Sequence, residues 1–379
     1  MAEPLQKRRY LRRESRDRVL AFDVIGLLIS VATVYGIFTL LSLSLNLEYG
    51  YGGQPNFGQV LFYGIGAFSA GLVSATLLPL FAGRAVGDVC SIGALVTREA
   101  ISASNPLLSV STWLIALVVA ALVASIFGFL ASYPALRVKE EWYLSMILLV
   151  GAEMFRVIVR NTPQFGCGYN GLPGISNPFG WISSNSNSPL LIDLSTGLYA
   201  MAILGFATLS YIGAQRFANS PYGRLLKSVR DDRILSEALG KDVKRVREQI
   251  MVIGSAMAGL AGALYVFYIG VAIAEDYIAS VTFSIWVMIV LGGIANNRGA
   301  LVGTIALIGL QKGTQILGVL LQQASIAVDS NLLVYLDYMV EAAILLLLIL
   351  YRPKGLIPEQ AVKTVAYRSF DSGGKDQHA

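Results

Sequence analysis

An all-α, polytopic bundle of membrane-spanning helices is the fold class this sequence predicts, and three observations carry it. The 379 residues have a mean hydropathy of +0.62 and are 55% hydrophobic. Only 14% are charged, against about 25% in ordinary globular chains. Apolar runs of roughly 20 residues, long enough to cross a hydrocarbon core, recur from end to end. A soluble fold would have to hide all of them at once.

Residues 1–18 form a basic tail, with Lys7, Arg8, Arg9, Arg12, Arg13, Arg16 and Arg18 against Glu3, Glu14 and Asp17. Such tails also bind nucleic acid, but this one leads straight into an apolar run. Retention on the cytosolic side is the expected use. The run is too long for a cleaved signal and lacks a small-residue cleavage site. Spans are expected near 19–45, 57–81, 111–133, 142–160, 190–214, 250–273, 278–295, 300–323 and 331–351. They make a membrane domain of residues 19–351, followed by a tail, 352–379, that opens with Arg352-Pro353-Lys354.

Two connecting segments set the orientation. Segment 161–190 has no charged residue and is rich in Gly, Pro, Asn and Ser, which mark turns rather than helix. Segment 215–250 holds nine Lys and Arg residues. The first is expected outside and the second inside, with both termini cytosolic. Parity then fails for the first two spans. The stretch between them is interrupted by Gly50, Gly52, Gly53 and Pro55 and carries Glu48, Gln54, Asn56 and Gln59. Broken backbone survives in a bilayer only where protein or a watery cavity satisfies it. A discontinuous element is expected here, giving about ten membrane-embedded segments. A plain loop, with the tail on the other side, is the competing account.

Asn56 and Gln59 are candidates for lining a polar route. A half-helix starting near Asn56 would aim its positive end at the membrane middle, where it suits a carboxylate; capping of a turn is the simpler role for Asn56. Glu153 and Arg156 stand three apart on one span and can pair, on the path or as a clamp near its outer end. Glu341 and Lys312 are also embedded. Span 250–273 carries two small-residue ladders, Gly254/Ala258/Gly262 and Ser255/Gly259/Ala263, which allow close helix packing in lipid. Cys90 and Cys167 can pair or stay free, and neither suggests a metal site. The one histidine, His378, lies beside the end of the chain, so His-based catalysis and zinc motifs are out of consideration.

The basic segment is more than a linker. Ser220 can cap a helix whose first residue is Pro221. Leu225, Leu226 and Val229 share one face, Gly240 supplies a left-handed stop after Leu239, and Asp242 can cap a third helix. Short amphipathic helices joined by tight turns suit docking by a cytosolic partner. A solvated loop against anionic headgroups is the plainer alternative.

The stretch SPYGRLLKSVRDDRILSEALGKDVKRVREQIMVIGSAMAGLAGALYVFYIG resembles the coupling region of permease subunits of branched-chain amino acid ABC importers. GYGGQPNFGQVLFYGIGAFSAG, GYNGLPGI, VMIVLGGIANNRGALVG and YRPKGLIPE agree in order, so the resemblance covers residues 40–358 and is closer to the longer, M-type subunit. Departures are Asn56 where the family usually has a serine, a long 82–110 segment, and no leucine-proline ending after Glu237-Ala238. The resemblance implies that Pro221, Gly223, Arg224, Arg230, Glu237, Ala238 and Gly240 belong to a loop that docks into a separate ATPase. It implies as partners a second, related permease, two ATPases and an extracytoplasmic solute-binding protein, in a prokaryotic plasma membrane. No G-x-x-x-x-G-K-(S/T) loop occurs in the chain, so ATP and magnesium are expected on the partner and no cofactor here. The substrate implied is a branched-chain or other hydrophobic amino acid; urea or a short amide is the alternative within the class. A carrier driven by an ion gradient would instead use the embedded Glu48, Glu153 and Glu341. An embedded enzyme ranks last, since no nucleophile–base or metal constellation is present.

Overall fold

The computed structural model describes residues 24–137, 141–184, 188–323, 330–352 and 354–359. Its elements are α1 (Val24–Leu45), α2 (Gln59–Phe81), α3 (Ile92–Ser104), α4 (Pro106–Arg137), α5 (Glu141–Asn161), α6 (Pro189–Asn219), α7 (Pro221–Asp231), α8 (Arg233–Ala238), α9 (Val243–Ile269), α10 (Ala279–Gly292), α11 (Asn297–Gln323) and α12 (Ser330–Tyr351). Eight helices among the described residues are long and apolar enough to cross a membrane, and α12 adds a shorter apolar stretch, Tyr338–Leu347. The protein is a polytopic helical membrane protein.

The bundle is built around α2 and α9, whose apolar windows are 67% buried, against 28–33% for α1, α4, α5, α6 and α11. The small-residue ladders explain this. A Cβ on Gly66 of α2 would run into the backbone of Gly259, one on Gly262 would strike the Tyr63 carbonyl, and one on Gly259 would meet Ala124 of α4. Backbones that close gain dispersion contacts, which lipid cannot supply on its own. Ala258 is the rung between Gly254 and Gly262. It is fully buried, and its methyl is one more member of the central apolar cluster, among residues such as Met251, Ala261 and Leu264.

The bundle has two ends. At one, β1 (Leu172–Pro173) pairs antiparallel with β2 (Val271–Ala272), inside a segment that is otherwise turns and single 3₁₀ turns. Cys90 and Cys167, whose pairing spacing left open, form a disulfide there with Cα atoms 5.5 Å apart. Segment 82–110, expected as a connecting loop, contains α3, capped by Ser91, whose hydroxyl accepts from the Ala94 amide. Buried Arg98 ties α3 down by donating to the carbonyls of Val89 (3.0 Å) and Pro173 (2.6 Å). Burial lowers its pKa.

The opposite end carries the 221–238 hairpin. α1 runs towards it: Tyr268, beside β2, donates to Ser30 near the start of α1, whereas the Gly50 carbonyl accepts from Arg230 of α7. The discontinuous element is present but differs from the expected re-entrant one. α1 continues through one π-helical stretch, Asn46–Tyr51, and α2 departs at Gln59. With 28 and 23 residues both helices are full length, so the break between them adds no crossing. Val24 therefore lies at the disulfide end. The expected cytosolic placement of the basic tail rests on residues 1–23, outside the described residues, as does His378. α10, at 14 residues, is about 21 Å long and shorter than expected.

Candidate functional site: a capped hairpin seated on a buried break

The hairpin is rigid for local reasons. The Ser220 hydroxyl accepts from the Gly223 amide (3.1 Å), with Pro221 at the first helical position. Asp232 caps α8 through Leu235 N (2.9 Å), and Asp242 caps α9 through Arg245 N (3.1 Å). Gly240 has φ +77° and closes α8, the Gly240 amide donating to Glu237 O (3.0 Å) and the Lys241 amide to Ser236 O (3.1 Å). That pair of bonds satisfies the last carbonyls of α8 and needs a left-handed residue. Leu226 and Val229 bury against Ala214 and Ala218 of α6 and Val243, Val246 and Ile250 of α9. Tyr222 donates to Gln249 (2.7 Å).

What remains outward is unusual. Ile234, Leu235 and Leu239 are 80%, 56% and 69% exposed, a row of apolar side chains left uncovered among the described residues. Arg224, Glu237 and Ala238 are exposed beside them, Glu237 pairing with Arg233 (3.3 Å). The arrangement presents a stiff apolar knob with a charged rim.

Beneath the hairpin lies the break. Arg230 Nη1 donates to the Gly50 carbonyl at 2.6 Å, and Lys227 sits 5.2 Å from the centre of the Tyr51 ring. Gly53 (φ +66°) packs on the Arg230 side chain, where a Cβ would come within 2.7 Å of Cγ. Burial opposes the charge on Arg230, but its bonds to Glu359 and Asp231 outweigh burial and raise its pKa. Deeper in, Asn56, Gln59, Glu48 and Ser44 are all 0% exposed. Asn56 Nδ2 donates to Glu48 Oε2 (2.7 Å) and Gln59 Oε1 (2.8 Å), Gln59 Nε2 donates to Ser44 (2.6 Å), and Ser44 donates to the Gly254 carbonyl of α9 (2.7 Å). Trp286 of α10 donates to the Asn56 carbonyl (3.0 Å). The other Glu48 oxygen lies against the Gly254 Cα, where any side chain would collide with it. The break is thus a polar joint between α1, α2, α9 and α10. The π-helical stretch brings Asn46 into it, accepting from Ala295 N (2.9 Å) and donating to Asn297 (3.0 Å).

Glu153 and Arg156 sit elsewhere. Arg156 pairs with Glu153 (2.9 Å) and, across the chain, with Glu275 (2.8 Å), which also holds Arg160 (2.8 Å). A shallow apolar cavity of about 460 Å³ on α5 is lined by Val150, Glu153, Met154 and Val157 among others. Glu341 accepts from Ser284 (3.0 Å) and Gln311 (2.6 Å), and Lys312 donates to Gln315 (3.2 Å). Glu48, Glu153 and Glu341 accordingly fall in three separate groups. Local reasoning missed Glu275, the Asp232 cap and Glu359. Asp232 was recoverable, being a capping residue three before Leu235; the other two find their partners across the chain.

The family model for the permease component of the branched-chain amino acid transport system matches residues 27–349. The chain is 31% identical over 352 residues to a probable branched-chain amino acid transport permease protein LivM of Methanocaldococcus jannaschii, covering 90% of this chain and 96% of that one. It is 24% identical to the high-affinity branched-chain amino acid transport system permease protein LivM of Escherichia coli, over 87% of this chain and 70% of that one. A probable LivH permease of M. jannaschii is 24% identical over 72% of this chain and 75% of its own length. No solved structure matches. Helices that span, a break they bury and a match across nearly the whole length agree: the chain belongs to the branched-chain amino acid transport permease family, and within it to the M-type.

Proposed function

We propose that this chain is one permease subunit of an ATP-driven ABC importer that moves branched-chain or other hydrophobic amino acids inward by alternating access. The observation that carries the reading is the exposed apolar edge of Ile234, Leu235 and Leu239 on a hairpin capped at every turn and bonded to a buried break. A solvated linker has no need of such an edge, whereas a docking element does. One of two separate ATPases seats on the hairpin; the pair holds ATP and magnesium and displaces the hairpin as it closes. The similarity to both LivM and LivH proteins supports a second, related permease as the lateral partner. A solute-binding protein delivers substrate at the disulfide end. The disulfide favours that end as the extracytoplasmic one, because such bonds persist in oxidising compartments. The setting is a prokaryotic plasma membrane, and this chain itself catalyses no covalent chemistry.

The test is reconstitution in vesicles with the ATPases, the second permease and the binding protein. Uptake that requires ATP, competed by leucine, isoleucine and valine but not by urea, is expected. Glu237→Lys reverses a charge on the docking rim and should cut ATPase co-purification and uptake at least tenfold with normal membrane insertion. Uptake by this chain alone under a proton gradient would overturn the assignment.

A further inference from the structure

Residues 354–359 do not trail away from α12. They run along the hairpin end as a strap over the turn between α10 and α11. The amides of Leu356 and Ile357 donate to the carbonyls of Leu291 (2.9 Å) and Gly292 (2.8 Å), and Asn296 Nδ2 donates to the carbonyls of Pro358 (3.0 Å) and Ile357 (3.3 Å). The fit depends on glycine: Gly293 and Gly355 have φ +121° and +72°, and a Cβ on Gly355 would lie 2.6 Å from the Gly293 Cα. Glu359, the last described residue of the strap, pairs with Lys227 (3.0 Å) and Arg230 (3.1 Å) of α7. Arg230 uses the same Nη1 to hold the Gly50 carbonyl of the break.

From this geometry we infer that the strap is a working part of the coupling apparatus, and that Glu359 is a positioning residue that keeps Arg230 on the Gly50 carbonyl. One carboxylate thereby joins the hairpin, the α10–α11 turn and the break into a single body. The side chains of Lys227, Arg230 and Glu359 are only 18–30% exposed, so the pairs are less screened than surface ones. Remove the Glu359 charge and Arg230 is left with Asp231, whose side chain is 66% exposed and lies next to it in the chain. That partner draws the guanidinium outward. Hairpin displacement would then no longer reach the joint formed by Glu48, Asn56 and Gly254. What displaces the hairpin rests on the proposed function; the mechanical linkage does not.

The amides of Gly52, Gly53 and Gln54 are bonded to the carbonyls of Leu47, Tyr49 and Glu48, and their hydrogen exchange reports on the break. In the full-length protein in liposomes, Glu359→Gln should speed exchange at these three amides roughly tenfold while α9 stays protected. In the assembled transporter it should lower solute moved per ATP hydrolysed several-fold without loss of ATPase binding, and Glu359→Asp should restore most of the ratio. Unchanged protection at Gly52–Gln54 overturns the linkage, and an unchanged coupling ratio overturns its use in transport. If Glu359→Gln fails to fold, Arg230→Lys decides. An ammonium keeps a charge for Glu359 but lacks the guanidinium fork that reaches both the carboxylate and the Gly50 carbonyl. Exchange at Gly52–Gln54 should then speed several-fold, and unchanged exchange overturns the linkage. If the wild type shows no ATP-dependent uptake, the functional reading falls, and the exchange measurement alone still decides the linkage.

Discussion

Gly254 and Gly262 occupy equivalent rungs of one ladder on α9, yet they face different neighbours. A Cβ on Gly254 would strike the Glu48 side chain, which must loosen its bond to Asn56 to move; one on Gly262 would strike the Tyr63 backbone carbonyl, which cannot move without its helix. Overpacking a core costs about 1–3 kcal/mol. Gly262→Ala should sit at the upper end of that range and Gly254→Ala at the lower end. Gly309 of α11, with nothing within 4 Å of a built Cβ, should tolerate alanine without loss. Thermal unfolding of the detergent-purified variants measures the series, and an equal loss at all three positions would contradict close packing as the cause. Gly254→Leu, too large for any such adjustment, should abolish assembly. The ladder itself was legible from spacing, but spacing alone could not tell the core methyl of Ala258 from the glycines on either side of it. That Gly254 also makes room for a buried carboxylate was not legible either, since Glu48 is brought there by the packing of a helix 206 positions earlier in the chain.

At the scale of elements, the hairpin was the most legible part of the molecule. Its three caps and its glycine stop act over three or four residues, so the local sequence contains both partners of each bond. Gly240→Ala tests this directly. No atom lies within 4 Å of its built Cβ, so the cost is purely that of a left-handed backbone, about 1 kcal/mol. The expected result is faster exchange confined to 233–241 and weaker ATPase co-purification, with α7 and α9 unchanged; normal docking would show that the stop is dispensable. α3 illustrates the opposite case. Its buried face consists of Arg98, Ile101 and Ser102, so the pattern is short and centred on a charged residue. Arg98 is burial-compatible because its guanidinium is received by the Val89 carbonyl just before α3 and by the distant Pro173 carbonyl. The break was located from its glycines and polar residues, but its form, a π-helical extension joining two full-length helices, depends on Asn46 meeting Ala295 and Asn297.

For the whole molecule, the disulfide offers a test of sidedness. Cys90 and Cys167, 77 residues apart, clamp the α2–α3 connection to the loop after α5. In right-side-out vesicles an impermeant maleimide should label no thiol until a reductant is added, and then label two per chain; labelling only after permeabilisation would put the hairpin on the other side. Cross-linking a loop of that length contributes at most about 4.5 kcal/mol, and less here because the flanking helices are already anchored in lipid. Removing the bond should therefore lower thermal stability without preventing insertion. The amino-acid sequence alone determined the membrane class, the approximate spans, the capped hairpin and the family, because apolar run length, helix caps and motif order are local properties of the chain. The tertiary structure alone decided the disulfide pairing, the direction of α1, the burial of Glu48 with Asn56 and Gln59, and the strap from α12 back to Arg230. Each of these depends on contacts between residues far apart in the chain, and in a bilayer such contacts arise only when helix packing and hydrogen bonding bring the partners together.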